Sequence, residues 1–92
     1  GEHHKGLYRS VIFIPNDEQS WLQEKCLFFA DETKKLIDIR IRYRQPLEKA
    51  WMILDDHGIY FVFFKAQRAV ARGQFAAWYV QDELIGSGRM VI

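Results

Sequence analysis

The chain has 92 residues, of which 49% are hydrophobic and 15% are aromatic, and its formal net charge at pH 7 is +1. This length and composition predict one small folded domain and exclude an intrinsically disordered chain. The single cysteine, Cys26, excludes a disulfide within the chain and predicts a reducing compartment, the cytoplasm. No apolar run reaches the length of a membrane-spanning helix, so we expect no membrane partner.

The first third of the chain predicts one strand followed by little regular structure. Residues 7–14 are apolar and rich in β-branched side chains, which favours a strand that ends at Pro15. Asn16 and Asp17 predict the cap of one short helical turn that runs through Trp21. In the apolar run 26–29, Cys26 is predicted to be a small buried residue and not a nucleophile.

Isoleucine and arginine alternate through residues 36–44. Because a strand repeats every two residues, the isoleucines and Tyr43 are predicted to face the core. The outer face then carries three arginines, Arg40, Arg42 and Arg44, about 6.5 to 7 Å apart. That spacing is close to the spacing of phosphates along a nucleic-acid strand. The alternative is a solvated strand face whose arginines pair with acidic residues on neighbouring strands, Asp38, Asp55 or Glu83.

Two hairpins are predicted in the second half of the chain. Residues 51–54 and 59–64 flank a turn in which Gly58 is expected to supply a positive φ, with His57 exposed to solvent. Residues 75–80 and 84–92 flank a second turn. Five or six short strands joined by tight turns are typical of a small closed antiparallel barrel. The tryptophans within these strands, Trp51 and Trp78, are predicted to lie in its core.

The strand over residues 59–64 is apolar on both faces. Ile59, Phe61 and Phe63 are predicted to point one way, and the residues between them the other way. The second face is either covered within this domain or forms an interface with another domain.

Positive charge is concentrated in two segments. Residues 34–49 contain six basic and two acidic residues, and residues 65–74 contain three basic residues and no acid. Together they carry +7, so the rest of the chain carries −6. This segregation indicates an anionic partner such as nucleic acid.

The loop within residues 65–74 has features of a tight turn and of a phosphate-binding segment. Gly73 predicts the turn, and Ala69 and Val70 are predicted to close one end of the barrel. Arg68 and Arg72, followed by Lys65, are the candidates for phosphate contact. The two glutamines, Gln67 and Gln74, either satisfy backbone groups or bind RNA.

No catalytic or metal site is predicted. The pair His3-His4 has no cysteine or second histidine pair to complete a metal site. The glycines of Gly86-Ser87-Gly88 lie in a terminal strand and do not form a phosphate loop between a strand and a helix.

Four motifs carry a resemblance to a known family. They are Arg-Ile-Arg-Tyr-Arg-Gln-Pro at 40–46, Ala-Gln-Arg-Ala-Val-Ala-Arg-Gly-Gln at 66–74, Tyr79, and Leu-Ile-Gly-Ser-Gly at 84–88. Their order and spacing resemble the C-terminal domain of the tRNA-specific 2-thiouridylases (the MnmA/TrmU family). The chain departs from the family pattern at Ala66, Arg72 and Ser87, where prolines and a glycine are usual.

The resemblance implies an all-β fold, a small antiparallel six-stranded β-barrel similar to domain 2 of elongation factor Tu. Residues 36–92 would form its main part, and residues 1–35 the N-terminal strand and connection that lead into it. This barrel would help to hold tRNA. The RNA-binding residues expected from the resemblance and the charge pattern together are Arg40, Arg42, Arg44, Gln45, Lys65, Arg68, Arg72 and Gln74.

The resemblance also implies a larger parent enzyme that 2-thiolates the wobble uridine of tRNA. Its N-terminal catalytic and central domains would use ATP and a persulfide sulfur donor, and the present chain would need no cofactor and carry no catalytic residue. The abrupt start at Gly1 and the end at Ile92 fit a piece of such a protein. Two alternatives remain: a barrel that packs on other domains or on a protein partner without touching RNA, and an enzyme related to the aminomethyltransferase barrels.

Overall fold

The fold is a single curled antiparallel sheet, seen in a computed structural model that describes residues 8–91. A four-residue helix, α1 (Lys25–Phe28), and a 3-10 turn (Asn16–Glu18) interrupt the strands. The strands of this part of the chain are β1 (Tyr8–Pro15), β2 (Gln19–Trp21), β3 (Lys34–Arg40), β4 (Glu48–Asp55), β5 (Gly58–Arg68), β6 (Phe75–Val80) and β7 (Glu83–Arg89).

The strand order is β1-β5-β4-β3-β6-β7-β2, so the two edge strands are consecutive in sequence. Only the 3-10 turn separates them, which forces the sheet to curl until its edges meet. Gln19 Nε2 donates to the Ile14 carbonyl oxygen at 3.0 Å, and Val91 N donates to the Phe13 carbonyl oxygen at 3.0 Å. The all-β prediction is confirmed as a half-barrel. It has seven strands and not six, because the chain after the 3-10 turn re-enters the sheet as β2 and pairs with β7.

The core lies on the inner face of the sheet and follows the period of two within each strand. Trp78 is fully buried at its centre, with its ring 5.1 Å from that of Phe61 and 5.4 Å from that of Trp21. The prediction for Trp78 is confirmed, but the one for Trp51 is wrong. Trp51 is half-buried on the outer face, where Lys34 Nζ lies 4.4 Å from the centre of its ring.

The short helical segments differ from the sequence predictions. Asn16 makes no side-chain cap; its amide donates to the Asp56 carbonyl oxygen and its Oδ1 accepts from Lys25 Nζ. Partial burial lowers the pKa of Lys25. Cys26 is exposed, so its predicted burial is wrong. The one aromatic residue of the helix, Phe28, packs against the core, and Phe29 just after the helix is buried in place of the cysteine.

The strand predicted over residues 36–44 ends at Arg40. Its isoleucines are buried as predicted, but Tyr43 is 87% exposed. Residues 41–45 form a turn because side chains there take over the backbone hydrogen bonds of the ladder. Gln45 Oε1 accepts from Ile41 N at 2.7 Å, and Arg40 Nη1 donates to the Tyr43 carbonyl oxygen at 3.0 Å. The regular spacing of the arginines therefore stops at Arg40.

Both predicted hairpins are confirmed, with different backbone details. Gly58 does not have a positive φ. It is required for space, since a Cβ there would overlap the Ile14 carbonyl oxygen and lie 2.7 Å from Phe13 Cζ. In the second hairpin Gln81 and Asp82 both have positive φ, at 50° and 69°, which matches the twist of the flanking strands.

Some predictions fall on parts of the chain that the structure does not describe. Leu7, the histidine pair His3-His4 and the terminal Ile92 lie outside the described residues. The strands before residue 36, β1 and β2, belong to the same sheet as the rest. The division of the chain at residue 36 stays a prediction.

Replacing Gly58 by alanine tests the close approach of β1 to the β4–β5 hairpin. The added Cβ would meet backbone atoms that cannot move independently, so we expect Gly58→Ala to lower the free energy of unfolding by about 2 to 3 kcal/mol. Urea denaturation measures this loss. The control is Gly73→Ala, where a Cβ meets no atom within 4 Å and only the φ of 91° is strained, at a cost of about 1 kcal/mol. Equal losses would show that packing at Gly58 is not the constraint.

Candidate nucleic-acid interface

The two basic segments meet where the 41–45 turn contacts the end of β5. Arg42 Nη2 donates to the Arg68 carbonyl oxygen, and Gln45 Nε2 donates to Gln67 Oε1 at 2.7 Å. The two segments are thus in contact at this point. We call the five cationic side chains of the 41–45 turn, the end of β5 and the loop after it the basic corner: Arg42, Arg44, Lys65, Arg68 and Arg72.

The glutamines of this region hold backbone groups in place. Gln67 is only 3% exposed, and its Nε2 donates to the Lys65 carbonyl oxygen at 2.8 Å. Gln74 Oε1 accepts from Ala71 N at 2.7 Å. Gln45 links the Ile41 backbone to Gln67. Of the two roles considered for Gln67 and Gln74, the backbone role is the one seen, and Gln45 shares it.

The loop after β5 turns back along the C-terminal segment. Gly73 has a φ of 91°, as its predicted turn requires, and Gly73 N donates to the Met90 carbonyl oxygen at 2.9 Å. Val70 is buried as predicted, whereas Ala69 is exposed with a φ of 56° and closes nothing. The turn leaves Arg72 on the surface, where its Nε donates to the Val91 carbonyl oxygen at 3.2 Å.

The basic corner is not neutralised by acidic side chains within residues 8–91. None of its five groups forms a salt bridge there; Asp38 instead pairs with Lys49 at 3.0 Å, and Glu32 with Lys35 at 3.5 Å. Within residues 8–91 none of the three strand arginines forms a salt bridge with Asp38, Asp55 or Glu83, so the pairing part of the alternative is wrong, while a solvated face stays an alternative. Apart from the half-buried Arg42, the corner residues are exposed, so their charges are available to an anion.

A cleft of about 630 Å³ adjoins the basic corner. Three of the predicted RNA-binding residues, Arg40, Arg42 and Gln74, line it together with three aromatic residues that the prediction missed, Tyr43, Phe75 and Tyr79. A signal for two of these is present in the sequence. Phe75 and Tyr79 lie on either side of Ala77 at even spacing, which puts both rings on one face of the same strand.

The structure places the eight predicted RNA-binding residues in two adjoining groups. Arg40 and Gln74 line the cleft, and Arg42 belongs to both the cleft and the corner. Arg44, Lys65, Arg68 and Arg72 are in the corner, and Gln45 lies beneath it. Their contact with RNA stays a prediction.

Within residues 8–91 no group of three or more His, Cys, Asp or Glu side chains is placed to hold a metal ion. His57 is exposed at the hairpin turn, as predicted. None of the helices in this part of the chain is long and apolar enough to cross a bilayer.

The sequence model of a protein family, the aminomethyltransferase β-barrel domain, matches residues 14–90 of the chain. The chain belongs to this family. Within it, the chain resembles the tRNA-specific 2-thiouridylases MnmA of Christiangramia forsetii, at 42% identity over 88 residues, and of Flavobacterium johnsoniae, at 41% over 86 residues. These alignments cover 96% and 94% of the chain. The mitochondrial tRNA-specific 2-thiouridylase 1 of Pongo abelii is 28% identical over 93 residues and 96% of the chain.

The recognition of a C-terminal barrel domain of the MnmA type is confirmed by this match. The chain spans only 22% of the length of the first two relatives and 21% of the third. It therefore corresponds to one domain of those larger proteins.

The Gln45–Gln67 hydrogen bond is predicted to fix the turn that carries Arg42 and Arg44. Gln45→Ala removes the acceptor of Ile41 N and leaves the buried Gln67 Oε1 without its donor. Since unpaired buried polar groups are costly, we expect the free energy of unfolding in urea to fall by about 1 to 3 kcal/mol. The control Arg44→Ala alters an exposed side chain of the same turn and should change it by less than about 0.5 kcal/mol. Similar losses of unfolding free energy in both variants would show that the Gln45–Gln67 hydrogen bond does not fix the turn.

Proposed function

We propose that the chain is the tRNA-binding barrel of a tRNA-specific 2-thiouridylase, an enzyme that 2-thiolates the wobble uridine of tRNA. The observation that carries the proposal is the basic corner, where two segments distant in sequence bring five cationic side chains together without acidic partners in residues 8–91. The support for the substrate comes from the relatives, whose names describe tRNA-specific 2-thiouridylases.

The chemistry of the corner suits the sugar-phosphate backbone of RNA. Arginine offers a planar fork of donors that matches phosphate oxygens, and Arg44, Arg68 and Arg72 are all exposed. Side chains on turns at one end of the sheet can follow a curved backbone. Such contacts position an RNA and read its charge and shape, while base identity is read elsewhere.

The remaining parts of the reaction are assigned to other domains of the same enzyme. We propose that N-terminal catalytic and central domains supply the ATP-dependent activation of the base and the persulfide sulfur donor, in the cytoplasm. This division is supported by the small share of the relatives' length that the chain covers. It is also supported by the chain's one cysteine, Cys26, which lies on α1 and away from the basic corner.

A second function, packing against another domain of that enzyme, is favoured by the outer face of the sheet. Register places four apolar side chains in one row across neighbouring strands: Val11, Val62, Trp51 and Leu36. Tyr60 and Phe64 extend this surface and are 40% and 61% exposed. An apolar surface that crosses four strands is typical of an interface. We refer to these six residues as the apolar outer face.

tRNA binding is predicted to depend on the charges of the basic corner. We expect the double change Arg44→Ala with Arg68→Ala to weaken the binding of unmodified tRNA at least tenfold. The slope of log affinity against log salt should become shallower by about two, because two phosphate contacts are lost. Fluorescence anisotropy over a series of salt concentrations measures both quantities. The backbone contact from Arg42 to the Arg68 carbonyl oxygen is preserved in this variant.

The matched control removes the same net charge from another part of the domain. Lys25 and Lys35 lie at α1 and at the start of β3, outside the cleft and the corner. The double change Lys25→Ala with Lys35→Ala should alter tRNA affinity by less than about twofold. If both double variants weaken binding to the same extent, net charge and not the basic corner determines affinity.

The apolar outer face makes a separate prediction. Phe64→Asp should abolish association of the chain with the remaining domains of the enzyme, added as a separate protein, because burying the carboxylate is unfavourable. Isothermal titration calorimetry would detect this loss, and the association of the unaltered chain should be insensitive to salt. Leu27→Asp, at a 67% exposed position on α1, is the control and should leave association intact. Association that persists in Phe64→Asp would rule out this face as the interface.

A further inference from the structure

The cleft beside the basic corner lies on the outer face of the sheet, where β3, β6 and β7 run side by side. The 41–45 turn forms one of its walls through Arg42 and Tyr43. Its volume of about 630 Å³ is in the range of sites that hold small organic groups. Neither the charges of the corner nor the glutamine contacts account for its aromatic lining.

Small side chains form the base of the cleft, and aromatic side chains form its sides. Register places Arg40, Ala77 and Ser87 next to one another on the three strands. Ala77 and Ser87 are small, whereas Phe75 and Tyr79, two residues away on either side of Ala77, project from the same face. A base of small side chains between two aromatic rings fits a flat group better than a branched or bulky one.

An arginine side chain lies next to each of the two aromatic rings at the sides of the cleft. The Arg40 guanidinium carbon lies 5.2 Å from the centre of the Tyr79 ring, and that of Arg89 lies 5.0 Å from the centre of the Phe75 ring. These cation–π contacts hold the rings in position and place two positive charges close to the cleft. An occupant with both a flat ring and negative charge would satisfy both features.

Two polar groups at the cleft have unused hydrogen-bonding capacity within residues 8–91. Arg40 Nε is enclosed and has no acceptor there, which is costly for a charged group. The Oε1 atom of Gln74 is engaged by Ala71 N, while its Nε2 makes no hydrogen bond to the described residues. Both are donors, and the carbonyl oxygens and ring nitrogens of nucleobases are acceptors.

Tyr43 adds an exposed stacking surface at the mouth of the cleft. It is 87% exposed on a turn that two side-chain hydrogen bonds fix in place. A large aromatic ring held out in solvent by a rigid basic turn is the arrangement that stacks on unpaired bases.

We propose that this cleft binds an unpaired nucleobase of the tRNA, in contact with both Tyr43 and Phe75, while the adjoining phosphates lie at Arg42 and Arg68. This inference rests on the proposed tRNA-binding function and adds to it a specific preference for unstacked nucleotides. Continuity between the two sites supports it, because Arg42 both lines the cleft and contacts the Arg68 carbonyl oxygen in the corner. A free small molecule would make no use of that continuity.

The test compares two RNAs that carry the same number of phosphates, a stem–loop with unpaired bases and a blunt duplex. Tyr43→Ala and Phe75→Ala should each weaken binding of the stem–loop about five- to a hundredfold, the range for loss of one base stack. Binding of the duplex should change less than twofold. Tyr43→Phe keeps the ring and should retain affinity. Leu27→Ala, an exposed truncation outside the cleft, should affect neither RNA.

The outcomes separate this inference from the proposed function. Equal losses for both RNAs, or no loss for either, would overturn base binding in the cleft, while salt-dependent binding through the corner would still stand. An unaltered chain that binds neither RNA would overturn both proposals. Thermal unfolding of each variant shows whether the compared proteins are folded. Tyr43 and Phe75 are both more than half exposed, so we expect their replacement to preserve folding.

Discussion

The hydrogen bond between Gln45 and Gln67 is the contact on which the functional side of this barrel depends. Gln45 is anchored to the Ile41 backbone and Gln67 to the Lys65 backbone, so one amide pair joins the 41–45 turn to the end of β5. Because Gln67 is buried, its partner cannot be replaced by water without cost. Two neutral amides therefore hold the turn and the strand together in a region that is rich in positive charge. A carboxylate in either position would neutralise the surface that the arginines create, whereas an amide leaves it intact.

The same turn serves two chemical surfaces that share Arg42. On one side it completes the basic corner, and on the other it supplies a wall of the aromatic cleft. The apolar outer face is made by other strands, chiefly β1, β5 and β4. The two proposed functions would therefore use different parts of the sheet's outer surface, while its inner face forms the core.

Much of this fold could be predicted from the sequence. The predictions that were wrong failed for physical reasons. The alternating isoleucines predicted the correct inner face of β3. The two segments of segregated charge meet at the basic corner, whose role in RNA binding stays a prediction. The strand was extended too far because the alternation continues through Tyr43, while the hydrogen bonds of Arg40 and Gln45 that end it involve side chains. β2 was missed because a three-residue strand has no periodicity to detect. The cleft was missed because its parts come from three strands, and only register brings Ala77 between Arg40 and Ser87.

The shortness of β2 has a dynamic consequence. This edge strand is joined to the rest of the sheet along one seam, by only three residue pairs with β7, and two of its partners there, Gly86 and Gly88, contribute no side chain to hold it. Segments with few contacts open locally at a lower free energy than the whole domain unfolds. Amide hydrogens along this seam should therefore exchange with solvent by partial opening, while those of β4 and β5 exchange only on global unfolding. The 41–45 turn is attached to β5, so the basic corner should stay ordered when β2 separates from β7.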